Sequence, residues 1–139
     1  DWILPFGHGD VRRRGDDLTI VTWGATVEKS LQAAAQLEED GASVEVIDLR
    51  TLIPWDQDLV ANSVRRTSRV LVVHEDVLTA GFGGEVAAWI GQELFSDLDA
   101  PVRRVAATDT HVAYNPALER AILPQVDDIA AKAKELLAF

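Results

Sequence analysis

The residues best suited to chemistry are His74-Glu75-Asp76, which leave an unbroken apolar run from Val70 to Val73. An imidazole beside carboxylates can serve as a general acid–base group tuned by its neighbours. No serine or cysteine nucleophile stands beside it in a recognisable motif. A lone histidine at a strand exit also serves as a polar way out of the core, bonded to a backbone carbonyl, and that structural reading is favoured. His74 and Glu75 remain the catalytic candidates of this chain. A second feature is Ala80-Gly81-Phe82-Gly83-Gly84, ahead of a helical pattern, where backbone N–H groups could hold an anion. It lacks a nucleotide-loop lysine and does not complete G-x-G-x-x-G. Gly81 and Gly83 fit a close-packed turn better, and Phe82 within it is expected to be exposed and covered by a partner subunit.

Other ionisable groups form no metal or hydrolytic pattern. His8, His74 and His111 are scattered, so no zinc site is expected. Asp97, Asp99 and Asp109 gather around the last strand, and Asp127-Asp128 open the last helix. A solvated face and a helix-dipole effect compete there with a docking site for a basic partner.

The elements that must position these groups alternate between two periods. Leu18 to Trp23, Val44 to Leu49, Val70 to Val73 and Val102 to Ala106 read as strands, and Val11 to Arg14 as a further short one. Val27, Leu31, Ala34 and Leu37 recur at helical spacing with Gly41 as the stop. Asp56 caps a helix carrying Val60 and Val64, and the Gly81–Gly84 turn leads into one carrying Val86, Trp89, Ile90 and Leu94. Asn115-Pro116 starts a short helix, and Val126, Ile129, Ala130, Ala133, Leu136 and Leu137 form an amphipathic stripe. Strands alternating with helices predict an α/β fold: a three-layer αβα sandwich around a mostly parallel sheet of about five strands. Residues 1–17 read as an arm or linker from a preceding domain, and residues 18–139 as the α/β domain. In such sheets ligands bind beyond the carboxyl ends of the strands, here Gly24 to Thr26, Asp48 to Thr51 and His74 to Asp76.

Composition bounds the partners. The 139 residues are 47% apolar and 26% charged, enough for one self-sufficient core. The net charge of −10, from 23 acidic and 13 basic residues, repels nucleic acid and anionic lipid and favours a basic protein partner. Arg12-Arg13-Arg14 is too short and too flanked by aspartates to reverse that. No apolar run approaches the ~20 residues of a membrane span. The absence of cysteine fits a reducing compartment, and a cytoplasmic location is expected. Without an initiator Met, the chain reads as a piece of a longer protein or a processed one.

Three segments taken together carry a resemblance: Leu18 to Gly24 with its following helix, Val44 to Asp56, and Val70 to Glu85. They resemble the transketolase C-terminal domain, most closely its version in the β subunits of 2-oxo acid dehydrogenase E1 components. Leu4 to Gly7, Asp99 to Val102, the Tyr114 region and Ile122 to Pro124 extend the match over almost the whole chain. The resemblance implies a parent enzyme that decarboxylates a 2-oxo acid on thiamine diphosphate and Mg²⁺ and passes the acyl group to the lipoyl group of an E2 acyltransferase. In that family a G-D-G motif in another domain holds the cofactor; Gly9-Asp10-Val11 and Gly15-Asp16-Asp17 both miss it, so no catalysis is expected from this chain alone.

What the resemblance implies instead is assembly. Such domains pack against other E1 domains or subunits, as a homodimer or a heterotetramer of two α and two β chains. Some also dock the basic subunit-binding domain of E2. Candidate interface residues are Trp2, Phe6, Trp55, Gly81, Phe82 and Gly83, and candidate docking residues are Asp97, Asp99 and the Phe139 carboxylate. Ala80 stands where that family often has a first glycine, and Thr108 to Tyr114, which lacks the family's usual prolines, resembles branched-chain-type or fused α–β E1 chains more than pyruvate-type ones. Another transketolase-superfamily enzyme, such as transketolase or deoxyxylulose-phosphate synthase, and a free-standing binding module are the alternatives.

Overall fold

A computed structural model describes residues 3–139; Trp2, an expected interface residue, lies outside the described residues. Five strands form one sheet: β1 (Asp10–Arg13), β2 (Leu18–Thr22), β3 (Val44–Asp48), β4 (Val70–Val77) and β5 (Arg103–Ala107). They lie in the order β1-β3-β2-β4-β5, with all neighbours parallel except β1, which runs antiparallel to β3. The expected arm therefore enters the sheet, and Gly15 beyond it packs on the backbone of Val44 and Glu45 so closely that no Cβ would fit.

Five helices connect the strands: α1 (Thr26–Glu39), α2 (Gln57–Thr67), α3 (Phe82–Glu93), α4 (Pro116–Ile122) and α5 (Val126–Leu137). Strand alternation sorts the apolar side chains to two faces. Leu18, Ile20, Val44, Val46, Leu71 and Val73 point towards α1 and α5. Val21, Ile47, Val70 and Val72 point the other way, into a core with Val60 and Val64 of α2 and Val86 and Ile90 of α3. These are the three layers expected, and β2, most of β3 and the Val70–His74 part of β4 are buried on both faces, with Val70 to Val73 the unbroken apolar run that such burial favours.

Local signals set the boundaries. Asp56 accepts the Leu59 N–H at 3.0 Å and caps α2, while also accepting the Gly9 N–H at 3.0 Å, which ties the N-terminal segment to the domain. Asn115 caps α4 ahead of Pro116, and Asp128 closes a capping box with Gln125 at the start of α5. Gly41 ends the α1 region at φ +88°. Three polar contacts tie α2 to the sheet. The Thr19 hydroxyl bonds Ser63 at 2.6 Å and Thr67 at 2.7 Å, and the fully buried Glu45 receives the Arg66 guanidinium at 2.5 Å. Glu45 raises the Arg66 pKa further above its already basic value, chiefly by that hydrogen bond.

Candidate functional site

The chain leaves β2 towards β3 and later returns past β2 to β4, so strand order reverses between β2 and β4. Beyond their carboxyl ends lies the crevice where a doubly wound sheet accepts ligands. Here the protein fills it with its own side chains. Trp23, at the exit of β2, stacks on His74 of β4 with ring centroids 5.2 Å apart and planes 2° from parallel. Phe82, the first residue of α3, meets Trp23 edge-on at 6.0 Å. The Thr26 hydroxyl, at the head of α1, bonds Thr22 at 2.8 Å and the Trp23 carbonyl at 2.8 Å.

His74 is fully buried. Neither ring nitrogen has a hydrogen-bond partner among the described residues, where the sequence suggested a bond to a backbone carbonyl. Burial pushes its pKa below the ordinary histidine value; Arg104 adds to that push and Asp76 opposes it. Glu75, the other catalytic candidate, is exposed on the strand and does not join the imidazole in one site. The glycines of the following loop are there for closeness. A Cβ on Gly83 would fall under 3.0 Å from His74 Nε2 and Cδ2, and one on Gly81 would strike the Val77 carbonyl. Gly81 caps α3 and Gly83 stands in its first turn, and both are buried, as the close-packed reading of this segment required.

The remaining expected site residues separate. Phe6 is 85% exposed. Trp55 and Phe82 are half-buried against the domain's own core, Trp55 edge-on to Trp89 at 5.0 Å, so Phe82 is not the bare aromatic its loop position suggested. Ile53, two residues before Trp55, is 88% exposed in its place. The aspartates split between the two ends of the sheet. Asp109 accepts the Thr79 N–H at 2.9 Å and hydroxyl at 2.5 Å, and these bonds lower its pKa. Asp97 lies 3.7 Å from Arg65 at the opposite end. There Asp99 and Phe139 line one groove of about 870 Å³ with Phe95, Ala88, Gly91 and Leu98. Two of the expected docking residues, far apart in sequence, are brought together.

Most exposed large apolar residues lie at the carboxyl end of the parallel strands. Phe6 and Ile53 sit by the carboxyl end of β3, because β1 runs antiparallel to it and Gly7 bonds Thr51 at 2.9 Å. Leu78, Val112, Tyr114 and Leu118 follow β4 and β5, and α4 has no buried residue at all. Sequence reasoning missed Ile53 and α4 as surface features; an apolar residue just before Pro54 was the available signal for the first.

The residues that stand where a cofactor motif would be do not fit one. Arg50 holds Asp10 at 2.8 Å, Arg66 lies 3.4 Å from Asp16, and Gly15 is closed by the β3 backbone. Among the described residues no group of three His, Asp or Glu is placed to hold a metal ion. Among the described residues no helix is long and apolar enough to cross a membrane.

The family model "Transketolase, C-terminal domain" matches residues 7–129. The chain is 41% identical to the 2-oxoisovalerate dehydrogenase subunit beta of Bacillus subtilis (strain 168), over all of this chain and 43% of that one. It is 44% identical to the pyruvate dehydrogenase E1 component subunit beta of Staphylococcus aureus (strain Mu50 / ATCC 700699), over all of this chain and 42% of that one. It therefore spans less than half the length of these relatives. Among solved structures, a split-gene transketolase described as an inactive beta4 tetramer superposes with a TM-score of 0.85 at 29% identity, over 97% of this chain and 44% of that one.

Proposed function

Since the chain belongs to the transketolase C-terminal domain family, we propose that it is the C-terminal domain of a β-type E1 subunit in a thiamine-diphosphate-dependent 2-oxo acid dehydrogenase. The likeness to two such β subunits over every residue of the chain carries this reading. In it, the parent enzyme decarboxylates a 2-oxo acid on thiamine diphosphate and Mg²⁺, held by its other domains. This domain supplies assembly surface. The aromatic plug of Trp23, His74 and Phe82 supports that division, because it occupies the crevice a ligand would need. Branched-chain and pyruvate relatives match almost equally, which fits substrate choice being made outside this domain, with the branched-chain class as our assignment for the parent.

Two surfaces divide the assembly work in this reading. The carboxyl end of the parallel strands, which carries Phe6, Ile53, Tyr114 and α4, faces other E1 domains or subunits. A seven-residue helix with no buried side chain gains little from its own hydrogen bonds and needs a neighbour. The groove at Phe95, Asp99 and Phe139 faces the basic subunit-binding domain of E2, its carboxylates speeding encounter. The test uses the full-length β subunit assembled with its α chain. Phe6→Ser with Ile53→Ser should lower the sedimenting mass and abolish 2-oxo acid-dependent dye reduction. Asp99→Asn with removal of Phe139 should keep dye reduction and weaken acyl transfer to lipoyl-E2. Saturable heat on titrating thiamine diphosphate and Mg²⁺ into this chain alone would refute the reading.

A further inference from the structure

We propose that His74 is an acid-sensitive latch on the first turn of α3, so that protonating it breaks the Trp23 stack and frees Val77 to Glu85. Three observations carry this independently of the E1 reading. The imidazole is sealed from water with both nitrogens unpartnered, so a second N–H has no acceptor to meet within the closed site. Its ring touches Gly83 so closely that no side chain could stand there, which makes the first turn of α3 directly responsive to any movement of the ring. The segment before that turn is lightly held: Val77 to Ala80 is partly or fully exposed, with Ala80 at φ +62°. Its ties are the pairing of Val77 with Ala107, the Val77 N–H to Asp76, the Leu78 N–H to Ala107, Thr79 to Asp109, and Arg104 to the Leu78 carbonyl, all at its exposed margin.

The surrounding charges decide the direction. From its own strand Asp76 favours the imidazolium, and from β5 Arg104 disfavours it. The end of β2 presents Trp23, and α3 with the residue before it presents Gly81, Phe82 and Gly83, none of them titratable. The positive end of α3 opposes a cation beside its first turn. The Trp23 face would attract one, but an opened imidazolium gains water on both nitrogens, which the stack does not offer. Glu85 and Glu75 are exposed and remain solvated in either state. The opened form therefore binds the proton more tightly. Its share rises as pH falls below the ordinary histidine value, by up to about tenfold per pH unit.

The experiment follows the three histidine ring protons of the full chain by NMR from pH 8 to 5. Hydrogen exchange is measured in parallel on the peptide spanning Val77 to Glu85, corrected for intrinsic pH dependence. The expected result is one imidazole titrating below the ordinary value, exchange in that peptide accelerating over the same range, and core peptides of β2 and β3 unchanged. His74→Gln should remove the acceleration, whereas His8→Gln and His111→Gln should leave it. Titration of His74 at or above the ordinary value, flat exchange at Val77 to Glu85, or persistence in His74→Gln would overturn the proposal. Should His74→Gln fail to fold, the unaltered chain's titration and exchange decide alone.

Discussion

Replacing Gly83 by alanine separates two opposite expectations. Gly83 is the second residue of α3, and alanine in a helix is favoured over glycine by about 0.8–1 kcal/mol. Propensity alone therefore makes Gly83→Ala stabilising. The structure says the reverse, because the new methyl would lie under 3.0 Å from two ring atoms of His74. That ring is held between Trp23 and the α3 backbone and has no free side to turn into. Forced overpacking of this kind costs about 1–3 kcal/mol and sometimes more, and contact with two ring atoms places it at the upper end. The net expectation is a loss of about 2 kcal/mol. In a His74→Ala background the obstruction is gone and the propensity gain returns, so the two changes should couple by about 3 kcal/mol. Urea unfolding of the four proteins reads this from the midpoints, provided the slopes stay equal. Gly84→Ala is the internal control. Its methyl would meet only the end of Arg104, at 3.5 Å, and it should be neutral or stabilising by up to about 1 kcal/mol. A Gly83→Ala chain as stable as the parent, or one uncoupled from His74, would refute the packing argument.

Four further outcomes are expected. Ala80→Gly should raise stability by about 0.5–1 kcal/mol, since the left-handed φ of +62° costs alanine more than glycine; thermal unfolding reads it. Asp56→Ala removes the α2 cap and the acceptor for Gly9, and should lower the urea midpoint by the equivalent of about 1–2 kcal/mol. Arg66→Ala leaves the buried Glu45 carboxylate without its cation and should destabilise by about 3 kcal/mol, the low end for a buried pair because Arg66 is two-fifths exposed; Arg66→Lys should recover part of the loss. Stability should also fall with acid through His74. Its pKa is lowered in the folded chain, so the unfolded chain takes the proton first. The contribution is complete above the ordinary value of about 6.5 and declines below it, by at most about 1.4 kcal/mol per pH unit. A chain equally stable at pH 7.5 and 5.5, in a background lacking His8 and His111, would contradict this.

The layers of this fold were legible because burial on both faces leaves a signature that survives without tertiary information. Val70 to Val73 is apolar without alternation, Val44 to Leu49 is β-rich despite Glu45 and Asp48, and the caps at Asp56 and Asn115 lie one residue before their helices. The site was less so. Which strand ends adjoin depends on strand order, and β2 and β4 are separated in sequence by α1, β3 and α2. Nothing local in Trp23 announces that it will cover His74. The partnering of Phe82 was misjudged for the same reason: its neighbours in sequence are glycines, while its neighbour in space is an indole. Asp99 and Phe139 were named from a resemblance, and their shared groove arises only once the chain end folds back beside α3. The Asp97–Asp99–Asp109 grouping did not survive folding, because β5 carries its two ends to opposite sides of the molecule.

The antiparallel pairing of Asp10–Arg13 with β3 has a practical consequence for where this domain can be cut. A chain beginning at Leu18 would keep every parallel strand and both cores, and on paper would look like the whole α/β unit. It would also lay bare the outer backbone of β3 from Val46 to Asp48, in a stretch whose Val46 and Ile47 are fully buried in the intact chain. An uncovered apolar strand at the margin of a sheet recruits strands from other molecules. Glu45 would lose the Gly15 N–H as well. Chains cut there should precipitate or form soluble aggregates as their concentration rises, whereas chains starting before Gly7, which keep β1 and the tie to Thr51, should not.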